Sequence, residues 1–419
     1  MPRKPYIAVA LALLAFLPPS GARAQGVAEP PARLDTLRNP EIQAMVARLD
    51  LDKYKATIKG LTQFGDRRQG TARNRAAVDW IEAQLKSYGC TNVERLTYTY
   101  TTPQRGGGRV VAIGGDTAGR GGRGAGGRGD WAQGGGRYRG MRTRTGVNSD
   151  SLKQTDPKLR TLNAEPATDG ERQEVVCTKI GTTHPDEMFI VGGHMDGIGW
   201  GEAANDDGSG AALVMELARV FSSPDIQTDR SIRFALWNNE ETGTNGARAY
   251  IAQRQALQGK EDPAGSGEYP EPKWLGMIQH DMMLFDHGMP RPDGTMSPDQ
   301  RPEADVNIEF AMTSKFSEGA QKLAWAFAKA NDKYATDYPA QVGQHMTNTD
   351  SGPFQDLVPA ISLRENERGR DIGAGWDPQW HQPTDLYATY NDKDFRFGLN
   401  AAQTTLGAIA TLTGATLKK

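Results

Sequence analysis

The chain has 419 residues, of which 37% are hydrophobic, enough for one large α/β domain or two smaller ones with a sizeable core. Its formal net charge is -2, so acidic and basic residues nearly balance. That balance excludes a global electrostatic footprint for nucleic acid or for a membrane surface.

Residues 1–24 read as a secretory signal rather than as part of the fold. Arg3 and Lys4 form a basic start, Ile7 to Leu17 an apolar run too short to span a bilayer, and Ala22-Arg23-Ala24 a small-x-small cleavage site. No cysteine follows that run to carry a lipid, and no later segment is long and apolar enough to cross a membrane. The expected location is periplasmic or secreted, with no membrane anchor after cleavage. Residues 25–40 read as a spacer, followed by a domain over 41–419. Cys90 and Cys177 are the only cysteines; in an oxidising compartment they either pair or stand as two free buried thiols.

Two amphipathic helices are expected next. Leu51, Tyr54, Ile58 and Leu61 keep a helical period, as do Val78, Ile81, Leu85 and Tyr88, with Gly89 as a stop. Thr91 to Tyr100 reads as a strand. From Arg105 to about Arg144 the chain is mostly Gly and Arg, and the polar stretch continues to Arg172. Such a segment buries too little to offset its ordering entropy, so 102–172 reads as a disordered insertion. The alternative, an RGG-like contact with nucleic acid, fits poorly with a secreted protein.

Order is expected again at Glu174 to Ile180 and at Met188 to Gly192, both strands, the second buried. A helix from Asp207 to Phe221 places Leu213, Leu217, Val220 and Phe221 on one side. Ser231 to Trp237 reads as a strand and Thr242 to Gln253 as a helix. Strands at Leu275 to His280, Val306 to Met312 and Ala360 to Leu363, with helices over 317–330 and 394–413, complete the pattern. Gly/Pro-rich loops cover 259–272 and 290–302. Strands alternating with helices argue for an α/β fold with a largely parallel central sheet covered on both faces.

No Lys or Arg lies between Lys179 and Arg219, yet that interval carries Asp186, Glu187, Asp196, Glu202, Asp206, Asp207 and Glu216 together with His194. Like-signed carboxylates beside a histidine resist burial unless a cation neutralises them, and His with Asp/Glu is a donor set that suits zinc. In open α/β sheets the working groups lie at the carboxyl ends of strands. His194 and Asp196 follow one expected strand, Glu240 and Glu241 a second, Asp281 a third. Asp206 precedes a helix, and His381 lies in the loop before the last one.

His194-x-Asp196, Asn205-Asp206-Asp207-Gly208-Ser209-Gly210, Glu240-Glu241, His280-Asp281-Met282 and His381-Gln382-Pro383-x-Asp385, in this order, resemble the co-catalytic zinc exopeptidases of clan MH. That family includes secreted bacterial aminopeptidases, aminopeptidase Y and plasma glutamate carboxypeptidase. The resemblance runs from about Leu61 to the C-terminal helix. It implies a three-layer αβα sandwich around a mixed, mostly parallel sheet, and two Zn2+ ions. Carried onto these positions, Asp206 would bridge both ions, His194 and Asp281 would complete one shell, and Glu241 and His381 the other.

The resemblance further implies that Asp196 accepts a hydrogen bond from the far ring nitrogen of His194 and that the Asp206–Asp207 peptide is cis. Glu240 would be the general base for a metal-activated water attacking a peptide substrate. Two departures stand out: a long gap between Glu241 and Asp281, and Trp380 where the family often has a Tyr that holds the oxyanion. Tyr387 and Tyr390 are loose substitutes. Asp207 reads as a helix cap or a backbone-geometry residue, His280 as structural and His184 as a surface residue. His287 has no matched role. His345 lies near Asp350, part of a family-like motif, and is a substrate-side candidate; Arg364 and Glu365 either face the cleft or pair on the surface.

The expected activity is that of an aminopeptidase acting on peptides. A carboxypeptidase or dipeptidase of the same fold is the near alternative and would need a cationic grip for the substrate carboxylate. Glutaminyl cyclases, a further relative, use one zinc and would not need five ligands. Non-catalytic, receptor-like relatives usually lose ligands or the base, and none is missing here.

Overall fold

The computed structural model describes residues 38–102, 147–285, 306–344, 349–365 and 377–418. The signal segment, nearly all of the spacer, the Gly/Arg run over 103–146, the loop 290–302, His287 and His345 lie outside them. Three helices open the described chain: α1 (Pro40–Val46), α2 (Leu51–Thr62) and α3 (Ala72–Ser87). Each begins at a side chain that accepts the free N–H groups of the first turn, from Asn39, Asp50 and Thr71 respectively. The helix α1 was not expected. β1 (Val93–Tyr100) follows.

Composition misled from residue 147 onward. The stretch expected to lack structure as far as Arg172 holds a 3-10 turn over Ser151–Lys153, α4 (Pro157–Asn163) and the start of β2 (Gly170–Lys179). Asp156 caps α4 through two N–H groups and Pro157 occupies its first turn. Order here comes from buried amide side chains bonded to distant loops rather than from apolar burial. Gln154 and Asn163 are only 2% and 1% exposed although neither is apolar.

The remaining elements are β3 (His184–His194), α5 (Gly208–Phe221), β4 (Ile226–Gln227), β5 (Arg230–Trp237), α6 (Asn245–Arg254), β6 (Lys273–His280), β7 (Val306–Phe310), α7 (Ser317–Tyr334), β8 (Ala340–Gly343), β9 (Ala360–Arg364), α8 (Asp392–Leu412) and β10 (Thr416–Leu417). Eight strands form one mixed sheet in the order β1-β2-β5-β3-β6-β9-β7-β8. Its central run β5-β3-β6-β9 is parallel, while β1, β2 and β7 join their neighbours toward the centre antiparallel. β4 and β10 make a separate antiparallel pair.

Alternation along the strands feeds two cores. Phe189 and Val191 point to one face with α1, α2, α3, α5, α7 and α8, whereas Met188 and Ile190 point to the other, with α6 and Phe354. Helices on both faces give the three layers. α5 is buried all round rather than along one stripe, because α2 and α8 cover the side turned away from the sheet. Gly193 lets it approach: a Cβ there would lie 2.7 Å from the Gly210 main chain. Cys90 and Cys177 form a disulfide tying the end of α3 to β2.

Register places the site. Within the parallel run Gly193 lies beside Leu236 and His280, and His280 beside Leu363, so β3, β5, β6 and β9 end level. His194, the 238–241 turn, Asp281 and Glu365 therefore leave the sheet along one edge.

Candidate metal centre

Two groups of side chains meet above that edge. His194, Asp206 and Asp281 bring ligand atoms within 4.8 Å of one another, and so do Asp206, Glu241 and His381. His194 Nε2 is 3.3 Å from Asp206 Oδ1 and 3.9 Å from Asp281 Oδ1. On the other side His381 Nε2 is 2.9 Å from both Asp206 Oδ2 and Glu241 Oε2. All five residues named from the sequence thus converge, with Asp206 common to both groups. The Asp206–Asp207 peptide is cis.

The donor set fits zinc: one imidazole and two carboxylates on each side, with one carboxylate shared. Glu241 Oε1 is buried without a hydrogen-bond partner among the described residues, as an atom reserved for a cation would be. Electrostatics agree. Burial raises Glu241 to about 7. Burial opposes charge on His381, but Glu241 and Asp206 outweigh it and raise the imidazole to about 10. Burial likewise opposes charge on His194, yet Asp207, Asp206, Asp281 and Glu240 hold it well above its ordinary value. Burial alone would raise Asp206; His381 and His194 instead hold it below the carboxylate range. So much negative charge in a buried space calls for cations.

Glu240 adjoins this cluster. Burial, reinforced by Asp350, Glu241 and Asp281, pushes its carboxyl well above the ordinary value, which suits a group that must hold a proton between transfers. Asp196 departs from expectation. His194 Nδ1 bonds to the main-chain carbonyl of Asp196 at 2.9 Å, while its carboxylate stands 3.8 Å away. That carboxylate instead accepts the Glu240 N–H at 3.0 Å. The tautomer of His194 is therefore fixed by backbone, and the Asp196 side chain is free to fix the turn that carries Glu240.

Asp207 does both things considered for it. Its Oδ1 accepts Gly210 N–H as the cap of α5 and Met282 N–H, and its Oδ2 accepts His194 N–H. Arg67, wholly buried, donates to the carbonyls of Met195, Glu202 and Ala203 and so shapes the loop between His194 and Asp206. Trp200, Ala203, Asn239, Met282 and His381 all have φ between 50 and 74°, a conformation that non-glycine residues keep only where packing holds them.

Arg364 and Glu365 are buried behind the site, not on the surface. Arg364 Nη2 lies 3.3 Å from Asp281 Oδ2, and Glu365 Oε2 accepts Asn205 Nδ2 at 2.9 Å. Tyr390 is no oxyanion donor, since its hydroxyl lies 3.1 Å from Asp377 Oδ2 and 3.2 Å from Asp385 Oδ1. Tyr387 packs on Phe395. Trp380 stacks on His381 with ring centroids 4.0 Å apart, giving that imidazole an apolar wall. His280 is structural: Nδ1 meets Gly192 O, Nε2 meets Thr405 Oγ1, and burial lowers it to about 4. His184 is exposed. Sequence reasoning missed Arg67 and Gln154, and named Asp385 in a motif without giving it a role; a buried polar residue bonded to distant backbone leaves no periodic trace.

Comparison with known proteins follows the same lines. A family model described as Peptidase family M28 matches residues 174–404, a span that includes His194, Asp196, Asp206, Glu240, Glu241, Asp281 and His381. Carboxypeptidase Q of Xenopus laevis is 33% identical over 82 residues, 20% of this chain and 18% of that protein. Aminopeptidase YwaD of Bacillus subtilis is 32% identical over 104 residues, 24% of this chain and 22% of that one. The matches thus span about a fifth of these relatives' length. The crystal structure of BSAP, a zinc aminopeptidase from Bacillus subtilis, shares the fold: TM-score 0.56 at 15% identity, over 88% of this chain and 96% of that one.

Proposed function

The chain belongs to peptidase family M28, and from that premise we propose that it is a secreted zinc-dependent metallopeptidase, an aminopeptidase that removes N-terminal residues from peptides. The observation that carries the reading is the convergence of His194, Asp281, Glu241 and His381 around Asp206, with Glu240 alongside. In this reading residues 41–419 form one catalytic domain, and residues 1–24 direct export. No helix among the described residues is long and apolar enough to cross a membrane.

Asp206 would serve both ions, His194 and Asp281 one, Glu241 and His381 the other. When bound, the pair supplies polarisation of the scissile carbonyl and a lowered pKa for water. The chain supplies the rest. The Glu240 carboxylate takes the proton from the attacking water and returns it to the leaving amine nitrogen, with Asp196 Oδ1 holding the Glu240 main chain in place. Trp380 and the buried edges of the loops keep bulk water from His381.

Similarity to carboxypeptidase Q favours a second reading, cleavage at the other end of the peptide. That chemistry wants a cation free to grip the substrate carboxylate, whereas buried Arg364 already faces Asp281 and Glu309. Hydrolysis of amino-acyl anilides, run beside N-blocked peptides with free C-termini, separates the two. Activity confined to free N-termini supports the aminopeptidase; activity on the blocked peptides moves the assignment to a carboxypeptidase.

A further inference from the structure

Building on the two-ion reading above, we propose that Gln154 and Asn148 are positioning residues for one ion only, the ion assigned to Glu241 and His381. The two halves of the centre are supported differently. His194 ends β3 and Asp281 directly follows β6, neighbouring parallel strands in the middle of the sheet, so ladder hydrogen bonds run up to both. His381 belongs to no strand or helix. It sits in the 377–386 loop with φ 55°, a conformation that must be imposed from outside.

The 147–154 segment braces that loop beside His381. The Asn148 N–H donates to the His381 carbonyl at 3.0 Å. Gln154 Nε2 donates to two carbonyls on opposite sides of a seam, Trp200 at 2.8 Å and Pro383 at 3.0 Å. Trp200 belongs to the loop after His194, and Pro383 lies two residues beyond His381. Gly199, with φ 102°, presses so closely on the His381 main chain that no Cβ fits between them. Asn148 Nδ2 reaches the Gly199 carbonyl at 3.5 Å and is anchored on Asp150 O at 3.0 Å. Both amides are buried, at 2% and 7% exposure, and their donors point at main-chain carbonyls rather than at solvent.

The shared ligand is held independently. Asp206 is flanked by Ala203, whose carbonyl accepts Arg67 Nη2 at 2.7 Å, and by Asp207, whose carboxylate accepts the His194, Gly210 and Met282 N–H groups, so the bridging aspartate is held from outside the 377–386 loop as well as by Asp385 within it. Loss of the Gln154 donors would therefore loosen the stretch from His381 to Pro383 while leaving Asp206, His194 and Asp281 where they are. An outer partner of a metal ligand acts by fixing that ligand's orientation, and here the fixing is done through the ligand's own backbone.

The test is a titration of the metal-free, full-length protein with zinc alone, read against a chromophoric chelator, for wild type, Gln154→Met, Asn148→Ala and His381→Ala. Methionine keeps the length and volume of Gln154 and removes both donors. The wild type should bind two equivalents. In Gln154→Met one equivalent should stay within about twofold of wild type while the other weakens about 10–100-fold, the usual range for such partners. The weakened equivalent should be the one that His381→Ala abolishes, so the double variant loses nothing further from the equivalent that remains. Asn148→Ala should shift the same equivalent by less, because its main-chain bond to His381 survives.

A general loss of stability would weaken both equivalents together, and that result overturns the proposal. So does a Gln154→Met protein that binds both equivalents as wild type does. Should that variant not fold, Gln154→Asn replaces it; its amide is too short to reach both carbonyls, and the same selective loss is expected. A wild type that binds fewer than two equivalents contradicts the two-ion reading itself, which keeps the two failures apart.

Discussion

The Asp196 carboxylate accepts the main-chain N–H of Glu240 at 3.0 Å, so a residue two positions after one candidate ligand positions the proposed base next to another. The His194 ring, by contrast, depends on the Asp196 carbonyl, which any substitution preserves. Asp196→Ala should therefore keep bound zinc while kcat falls about 100-fold, the scale on which an ångström of misplacement acts. Asp196→Asn retains Oδ1 as an acceptor and should fall less. Zinc content and kcat measured on the same preparations check this; loss of metal from Asp196→Ala would return the side chain to the role of imidazole partner.

Glu240→Gln removes the proposed proton acceptor at nearly constant shape. Turnover should drop about 100- to 10,000-fold with zinc content unchanged, the range typical of a general base. Unchanged turnover would take Glu240 out of the mechanism.

Glu174 lies wholly buried on β2, its oxygens without a well-formed hydrogen bond among the described residues. Burial, with Asp350 adding to it, raises its carboxyl well above 4.5. The folded protein thus keeps a proton that the unfolded chain releases. Its contribution to stability is full below the ordinary carboxylate range and is lost as pH rises toward the folded value. Glu174→Gln carries no such loss. Its Tm should exceed wild type at pH 7, and the gain should vanish near pH 4; a difference independent of pH would contradict the assignment.

The Cys90–Cys177 disulfide closes a loop with a sequence separation of 87. On loop-closure grounds its removal by the double alanine variant should cost about 4–5 kcal/mol in urea unfolding. The kcat of folded protein should not change, because neither sulfur adjoins the metal centre. Equal unfolding midpoints with and without reductant would argue against the bridge.

The central strands were legible because fully buried parallel strands read as apolar runs, as at Phe189-Ile190-Val191. The candidate ligands were legible because His194, Asp206, Glu241, Asp281 and His381 stand at strand ends or loop positions in an order that matches a known family pattern. Local polarity could not show where a polar side chain finds its partner. Gln154 and Asn163 look like solvated residues until the 199–203 and 381–385 loops come beside them. Asp196 lies beside His194 as expected but touches it through a different atom, since sequence does not say whether a carboxylate or its own carbonyl faces the ring. Arg67 and Arg364 are ordinary arginines in sequence and become wholly buried cations only through long-range packing.

Hydrolysis is proposed to depend on zinc held by five side chains. Protein stripped of metal and reloaded stepwise, with bound zinc and amino-acyl anilide hydrolysis followed in the same samples, tests it most directly. The account predicts no activity without metal, restoration by zinc up to two bound equivalents, and no restoration in His194→Ala or His381→Ala. Full activity in the stripped protein, or full activity in either variant, would contradict it.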